Sequence, residues 1–236
     1  MNIHKSFIGL CLVALLTGCG GGGGGGGGPA APSGPVTSTL SFPAQSAYST
    51  LIATGFTKNF TVSGNCNGSA TVTAAAAAGG ATFEGVSALL SVVSTFTTSL
   101  SNCTPASSAV TTTTYYNTNY VPLGFNSAGS SYGVFVTPPS IPLSVAVGST
   151  GTLGTENIYT NSTKSVLSGT RVFSYVVEAD TASTAIVNFI TQSYNTSNVL
   201  TATQQSRYRI ASTGPLTLIS IDVQFAVTST AHLIYQ

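Results

Sequence analysis

The chain has 236 residues, of which 42% are hydrophobic and 5% charged, with 6 Lys+Arg against 5 Asp+Glu. A formal net charge of +1 gives no field that would draw phosphate backbones or anionic lipid, so nucleic-acid binding and polybasic membrane docking are excluded as expectations. Serine and threonine make up about 29% of the chain, which implies a neutral, hydroxyl-rich surface where the usual catalytic acids and bases are scarce.

The N-terminal segment carries one basic residue, Lys5, then an apolar stretch from Phe7 to Leu16, then Thr17-Gly18-Cys19. That stretch is too short to cross about 30 Å of hydrocarbon as a helix, so it reads as an export signal. Leu16-Thr17-Gly18-Cys19 resembles the lipobox of bacterial lipoproteins, a leucine and two small residues before an obligatory cysteine. The resemblance covers only this segment. It implies a signal peptide over residues 1–18 and a diacylglyceryl group on the Cys19 thiol. Several acyl chains on one residue make a stable membrane anchor. It also implies a place in the cell envelope, and Gly20 in place of Asp after the cysteine directs the chain to the outer membrane in a Gram-negative host. An ordinary secretory signal with an incidental Cys19 is the alternative, disfavoured because unbroken glycine from Gly20 to Gly28 looks like a tether. Residues 19–36 are therefore the lipidated cysteine and a Gly/Pro-rich flexible linker, and such a leash holds the folded part about 20 to 25 Å from its anchor.

From there the segments are short, rich in Val, Ile, Thr, Tyr and Phe, and cut by Gly, Asn, Pro or Ser, which predicts an all-β fold. Two antiparallel β domains are expected: a sandwich-like (Ig-like) one over 37–138 and a β-meander or half-barrel over 139–236. Ala74 to Ala78 is too short for an unaided helix. Phe83 to Val93 fits a helical stripe, but Val86, Ala88, Leu90, Val92, Phe96 and Leu100 share one parity, which favours strand. Phe60, Val62, Ala70 and Val72 alternate around Asn67-Gly68, a dipeptide suited to a type I′ hairpin turn. Export and lipidation leave two thiols, Cys66 and Cys103, a count that fits one disulfide worth about 4 kcal/mol by loop closure. Two free thiols or half a zinc site are the alternatives, and no histidine lies near either cysteine to complete a metal site. Tyr115, Tyr116, Tyr120 and Tyr132 lie among Asn117, Asn119 and Asn126 and are the candidate binding residues, for a glycan stacked on their rings. Service as cross-strand sheet pairs is the structural reading of the same tyrosines. Pro138, Pro139 and Pro142 interrupt strand pairing and place the domain boundary near residues 137–141.

In the second half the strands read Gly169 to Glu178, Thr184 to Tyr194, Leu200 to Ala211 and Leu216 to Thr228. In the last of these the odd positions Thr217, Ile219, Ile221, Val223, Phe225 and Val227 form the core-facing set and Asp222 points outward. A turn at Thr213-Gly214 sets Arg209 opposite Leu218, Arg207 opposite Ser220 and Gln205 opposite Asp222, with Arg207 diagonal to Asp222 as its ion-pair partner. Gly148-Ser149-Thr150-Gly151 lacks the Lys of a phosphate loop and reads as a bend.

The mature chain keeps one histidine, His232, and five carboxylates, Glu84, Glu156, Glu178, Asp180 and Asp222. No serine triad or nucleophile elbow is legible. Glu178 and Asp180 share strand parity, but Arg171, Arg207 and Arg209 are at hand to neutralise them. The sequence therefore points to a membrane-anchored, non-enzymatic structural, adhesive or binding module of the envelope, with an envelope protein or glycan as partner and without metal or cofactor. The alternatives are a glycan hydrolase using Glu178, Asp180 or Asp222, and a carrier of an apolar ligand inside a half-barrel, which requires an open cavity.

Overall fold

The structure, a computed structural model, describes residues 34–226 and 231–236. The expected signal peptide, Cys19 and most of the linker lie outside the described residues, as does Val227.

Among the described residues one helix, α1 (Ala44–Thr54), precedes thirteen strands: β1 (Phe56–Gly64), β2 (Asn67–Ala74), β3 (Ala78–Phe83), β4 (Val86–Ser101), β5 (Ser107–Tyr116), β6 (Pro122–Ser127), β7 (Ser131–Phe135), β8 (Thr150–Tyr159), β9 (Leu167–Ala179), β10 (Thr184–Asn195), β11 (Leu200–Ala211), β12 (Thr217–Phe225) and β13 (His232–Tyr235). From β4 to β13 each strand pairs antiparallel with the next, β13 pairs with β1, β1 with β2, and β2 with β4. Twelve strands thus close on themselves, and β3 lies outside the ring.

This corrects the expectation of two domains. The halves meet through β7 and β8, where Tyr132 faces Tyr159, and again through β1 and β13, where Val62 faces Tyr235. Closure satisfies the two edges that each half would otherwise expose. The proline cluster sits in the connection between β7 and β8, whose backbone still bonds the sheet through Val136 N–H to Thr155 O and Ser140 N–H to Leu153 O. Proline blocks pairing only where a ladder hydrogen bond is needed, and a loop has no such need.

The two-residue alternation of the strands sorts side chains to the two faces of the wall. Phe60 and Val62 of β1, Ala70 of β2, Val177 of β9, Val187 of β10, and Ile221 and Val223 of β12 point inward and are buried. On the outer face threonines pair across strands, as in Thr57 with Thr73 and Thr95 with Thr111.

The helix was not expected. Ser49, Thr50 and Thr54 bond back to carbonyls four residues earlier, and Pro43 in the N-cap position offers no side-chain cap. Local propensity is therefore weak, and burial holds the helix. Ala44, Ala47 and Leu51 lie on one face, with Tyr48 between them, and pack with Phe42 and Val145 against Val177, Ala185, Val187 and Ile210. Full burial of a side chain of Leu size contributes about 1.5–3 kcal/mol. The helix stops at Gly55, which has φ +67° and stands where a Cβ would come 2.6 Å from the Ala76 nitrogen. It closes one end of the barrel.

β2 and β3 run along the same edge of β4, interrupted at 75–77, so the Phe83–Val93 segment is strand and turn, not helix. The β3–β4 hairpin folds over the outer wall and lays Phe83 on Gly124 of β6, stacked on Tyr115 at 4.5 Å between ring centroids. Two register expectations also change. The first hairpin turns at Asn65-Cys66, and Asn67-Gly68 begins β2. A register shift between Arg207 and Tyr208 places Arg209 opposite Thr217, while Arg207 does face Ser220 and Gln205 does face Asp222. Below the shift the parity of β12 inverts, so Leu218 is the buried residue in place of Ile219.

Candidate functional site

Inside the barrel, between α1 and the far turns, lies a cavity of about 820 Å³. A volume of this size falls within the range of small-molecule sites. One wall is apolar: Val72, Phe96, Leu218, Ile221, Val223, Leu233 and Tyr235. Glu156, Arg171 and Thr191 line it from β8, β9 and β10 among Phe125, Phe135, Ile158, Phe173 and Phe189, while Gln204 and Ser206 of β11 lie beside Val223 and Ile221. At the helix end stand Tyr48, Tyr116 and Tyr208. Burial pushes the Tyr116 hydroxyl up to about 12 and the Tyr48 hydroxyl well above its ordinary value.

Glu156 and Arg171 are the charged side chains among the described residues lining the cavity. They face each other on β8 and β9, with Glu156 Oε2 3.5 Å from an Arg171 guanidinium nitrogen. Glu156 is 2% exposed. Burial pushes its carboxyl up to about 7, and the guanidinium opposes that rise only in part. Arg171 also lies over the Phe125 ring, 4.8 Å from its centroid. Gly133 makes room for both partners: a Cβ there would run into the Phe125 ring and sit 2.7 Å from Glu156 Oε1.

The residues singled out from sequence are dispersed. Cys66 and Cys103 form the expected disulfide with Cα atoms 5.8 Å apart, joining the β1–β2 turn to the β4–β5 connection and closing against the inner core. Tyr115, Tyr116, Tyr120 and Tyr132 make no common platform. Tyr116 points inward to the cavity. Tyr115 and Tyr132 pack under Phe83 on the outer wall, with the Tyr132 hydroxyl donating to Glu84 at 2.7 Å. Tyr120 sits in the β5–β6 turn at φ +60°. The alternation of β5 separates Tyr115 from Tyr116, which is why a dense aromatic run does not become a binding face.

Glu178, Asp180 and Asp222 lie on the outer wall, each with its own partner. Arg207 donates to Glu178 at 3.0 Å, and Asn188 donates to it as well at 2.7 Å. Arg209 grips Asp180 with two bonds of 2.7 and 2.9 Å and holds its carboxyl below the usual carboxylate range. Asp222 points outward as expected, but the side chain that meets its carboxylate is His232 on β13, through Nε2 at 2.9 Å, not Arg207. The neighbouring Glu178 claims Arg207.

Sequence reasoning missed Glu156 and Arg171 as a site. Their signal was parity: Glu156 alternates in step with Ile158, and Arg171 with Phe173, Tyr175 and Val177. Each places a charge on the apolar phase of its strand.

No protein family matches the chain, and neither a curated protein nor a solved structure matches it.

Proposed function

We propose that this chain is a lipid-anchored envelope module, not an enzyme, that binds a small amphipathic molecule inside its barrel. The cavity of about 820 Å³ closed at one end by α1 is the observation that carries this reading. A largely apolar lining that holds one ion pair and a few hydroxyls and amides suits a ligand with a long hydrocarbon part and one polar end. Part of the outer wall supports an aqueous setting: a barrel that spans a membrane turns an apolar band outward all round, whereas the outward rows of β1, β2, β4 and β5 carry Thr57, Thr71, Thr73, Thr95, Thr97 and Thr111. Membrane attachment then falls to the acylated Cys19 through the glycine leash. The dispersed tyrosines give no support to glycan stacking, and the separately paired outer carboxylates give none to glycan hydrolysis.

The test is titration of the purified protein with a neutral naphthylamine dye whose emission rises in apolar surroundings. One saturable site per chain, displaced by long-chain amphiphiles, is the expected result. Dye that does not bind, or that binds without saturation, refutes the reading.

A further inference from the structure

We infer that the ligand is a long-chain carboxylic acid, and that its carboxylate takes the Arg171 guanidinium from Glu156, which yields it by accepting a proton from solvent. This rests on the proposed ligand-binding role and names the ligand's head group.

The argument starts from a contrast between two arginine–carboxylate pairs in the same wall. On the outside, Arg209 and Asp180 meet in two short, parallel bonds, the geometry in which a guanidinium and a carboxylate match best. Inside the cavity, where charge is far costlier to bury, Glu156 and Arg171 stand 3.5 Å apart. A buried pair is stable only when good geometry repays desolvation. Here the carboxyl rises to about 7 in spite of its neighbour, so Glu156 holds the guanidinium weakly. The Phe125 ring lies beneath it, 4.8 Å from the guanidinium carbon to the ring centroid.

A group arriving from the cavity with better geometry would displace Glu156. The other residues facing Glu156 are Phe135 and Gly133 of β7 and Phe125 of β6, none of them charged, so the proton on Glu156 and the charge on the ligand are coupled through Arg171. One guanidinium neutralises one carboxylate. A phosphate brings more charge than this wall can balance in a desolvated site. The apolar lining, with Leu218, Ile221, Val223 and Leu233 on β12 and β13 and Val72 and Phe96 farther round the ring, receives the hydrocarbon.

The test compares hexadecanoate with hexadecanol, matched in length, as displacers of the neutral dye from the purified protein at pH 7. A charge-assisted hydrogen bond in an apolar site gives the acid an advantage of about ten-fold or more. Glu156→Gln is expected to tighten the acid and leave the alcohol unchanged, and Arg171→Met to bring the acid down to the level of the alcohol. Wild-type protein that binds acid no better than alcohol overturns the inference without recourse to any variant. So does a Glu156→Gln protein that binds the acid more weakly. Dye that never binds refutes the underlying ligand-binding role instead, so the two failures are distinguishable.

Discussion

Replacing Glu156 with Gln removes a carboxyl that burial in the barrel makes harder to ionise. In the unfolded chain this group titrates near its ordinary value of 4.5, and in the folded barrel near about 7. The folded state therefore holds the proton more tightly, and stability is fully present at low pH and lost as pH rises between those two values. At about 1.4 kcal/mol per pH unit the gap corresponds to a loss of about 3 kcal/mol by pH 8. Asp180 and Glu84 act in the opposite direction. Arg209 lowers the first, and for Glu84 the bonds from Lys164 and Tyr132 outweigh burial, so both add stability above their unfolded values and lose it as pH falls below them, outside the Glu156 window. Urea unfolding of wild type and Glu156→Gln at pH 5 and pH 8 separates the terms. Wild type is expected to lose about 2.5 kcal/mol between the two conditions, and the variant to lose much less. An identical loss in both proteins would refute the assignment of a buried, reluctant carboxyl at this position.

Reduction of the Cys66–Cys103 disulfide, which spans 37 positions, is expected to cost about 4 kcal/mol and to lower a single melting transition of the whole barrel; two transitions, only one of them redox-sensitive, would contradict closure into one unit. Gly124→Ala drives a methyl into the Gly133 carbonyl and to 2.5 Å from the Phe83 ring, so both the β6–β7 ladder and the hairpin must shift at a cost of about 1–3 kcal/mol, read as lower urea stability and faster protease nicking at Glu84-Gly85, with wild-type values of both as the contrary result. Palmitate fed to a bacterial host is expected to label the chain, and Cys19→Ser to abolish the label and release the protein from membranes; label persisting in the variant counts against the lipobox.

Much of the wall was legible because its rule is local. Period-two alternation and turn residues located β9 to β12 to within a few residues, and the pairing of Gln205 with Asp222 followed from counting back from one turn. Closure was not legible, because β1 meets β13 across almost the whole chain and no local pattern records that meeting. The proline cluster misled for the same reason: a loop between paired strands and a linker between domains share one composition. Helix α1 was hidden by its serines and threonines, although Ala44, Ala47, Tyr48 and Leu51 carry helical spacing. The disulfide was readable by elimination. The Glu156–Arg171 pair was readable only as two charges out of phase with their polar neighbours, and Arg171 was instead read as a neutraliser of outer carboxylates.

The most direct test of a ligand held inside the barrel uses the absence of tryptophan from the chain. Phe173→Trp puts one reporter on the cavity lining, and Thr57→Trp puts one on the exposed outer face. Titration with hexadecanoate is expected to change the emission of the Phe173→Trp protein saturably at one equivalent and to leave the Thr57→Trp protein unchanged. No saturable change at position 173, or the same change at both positions, would contradict an interior site.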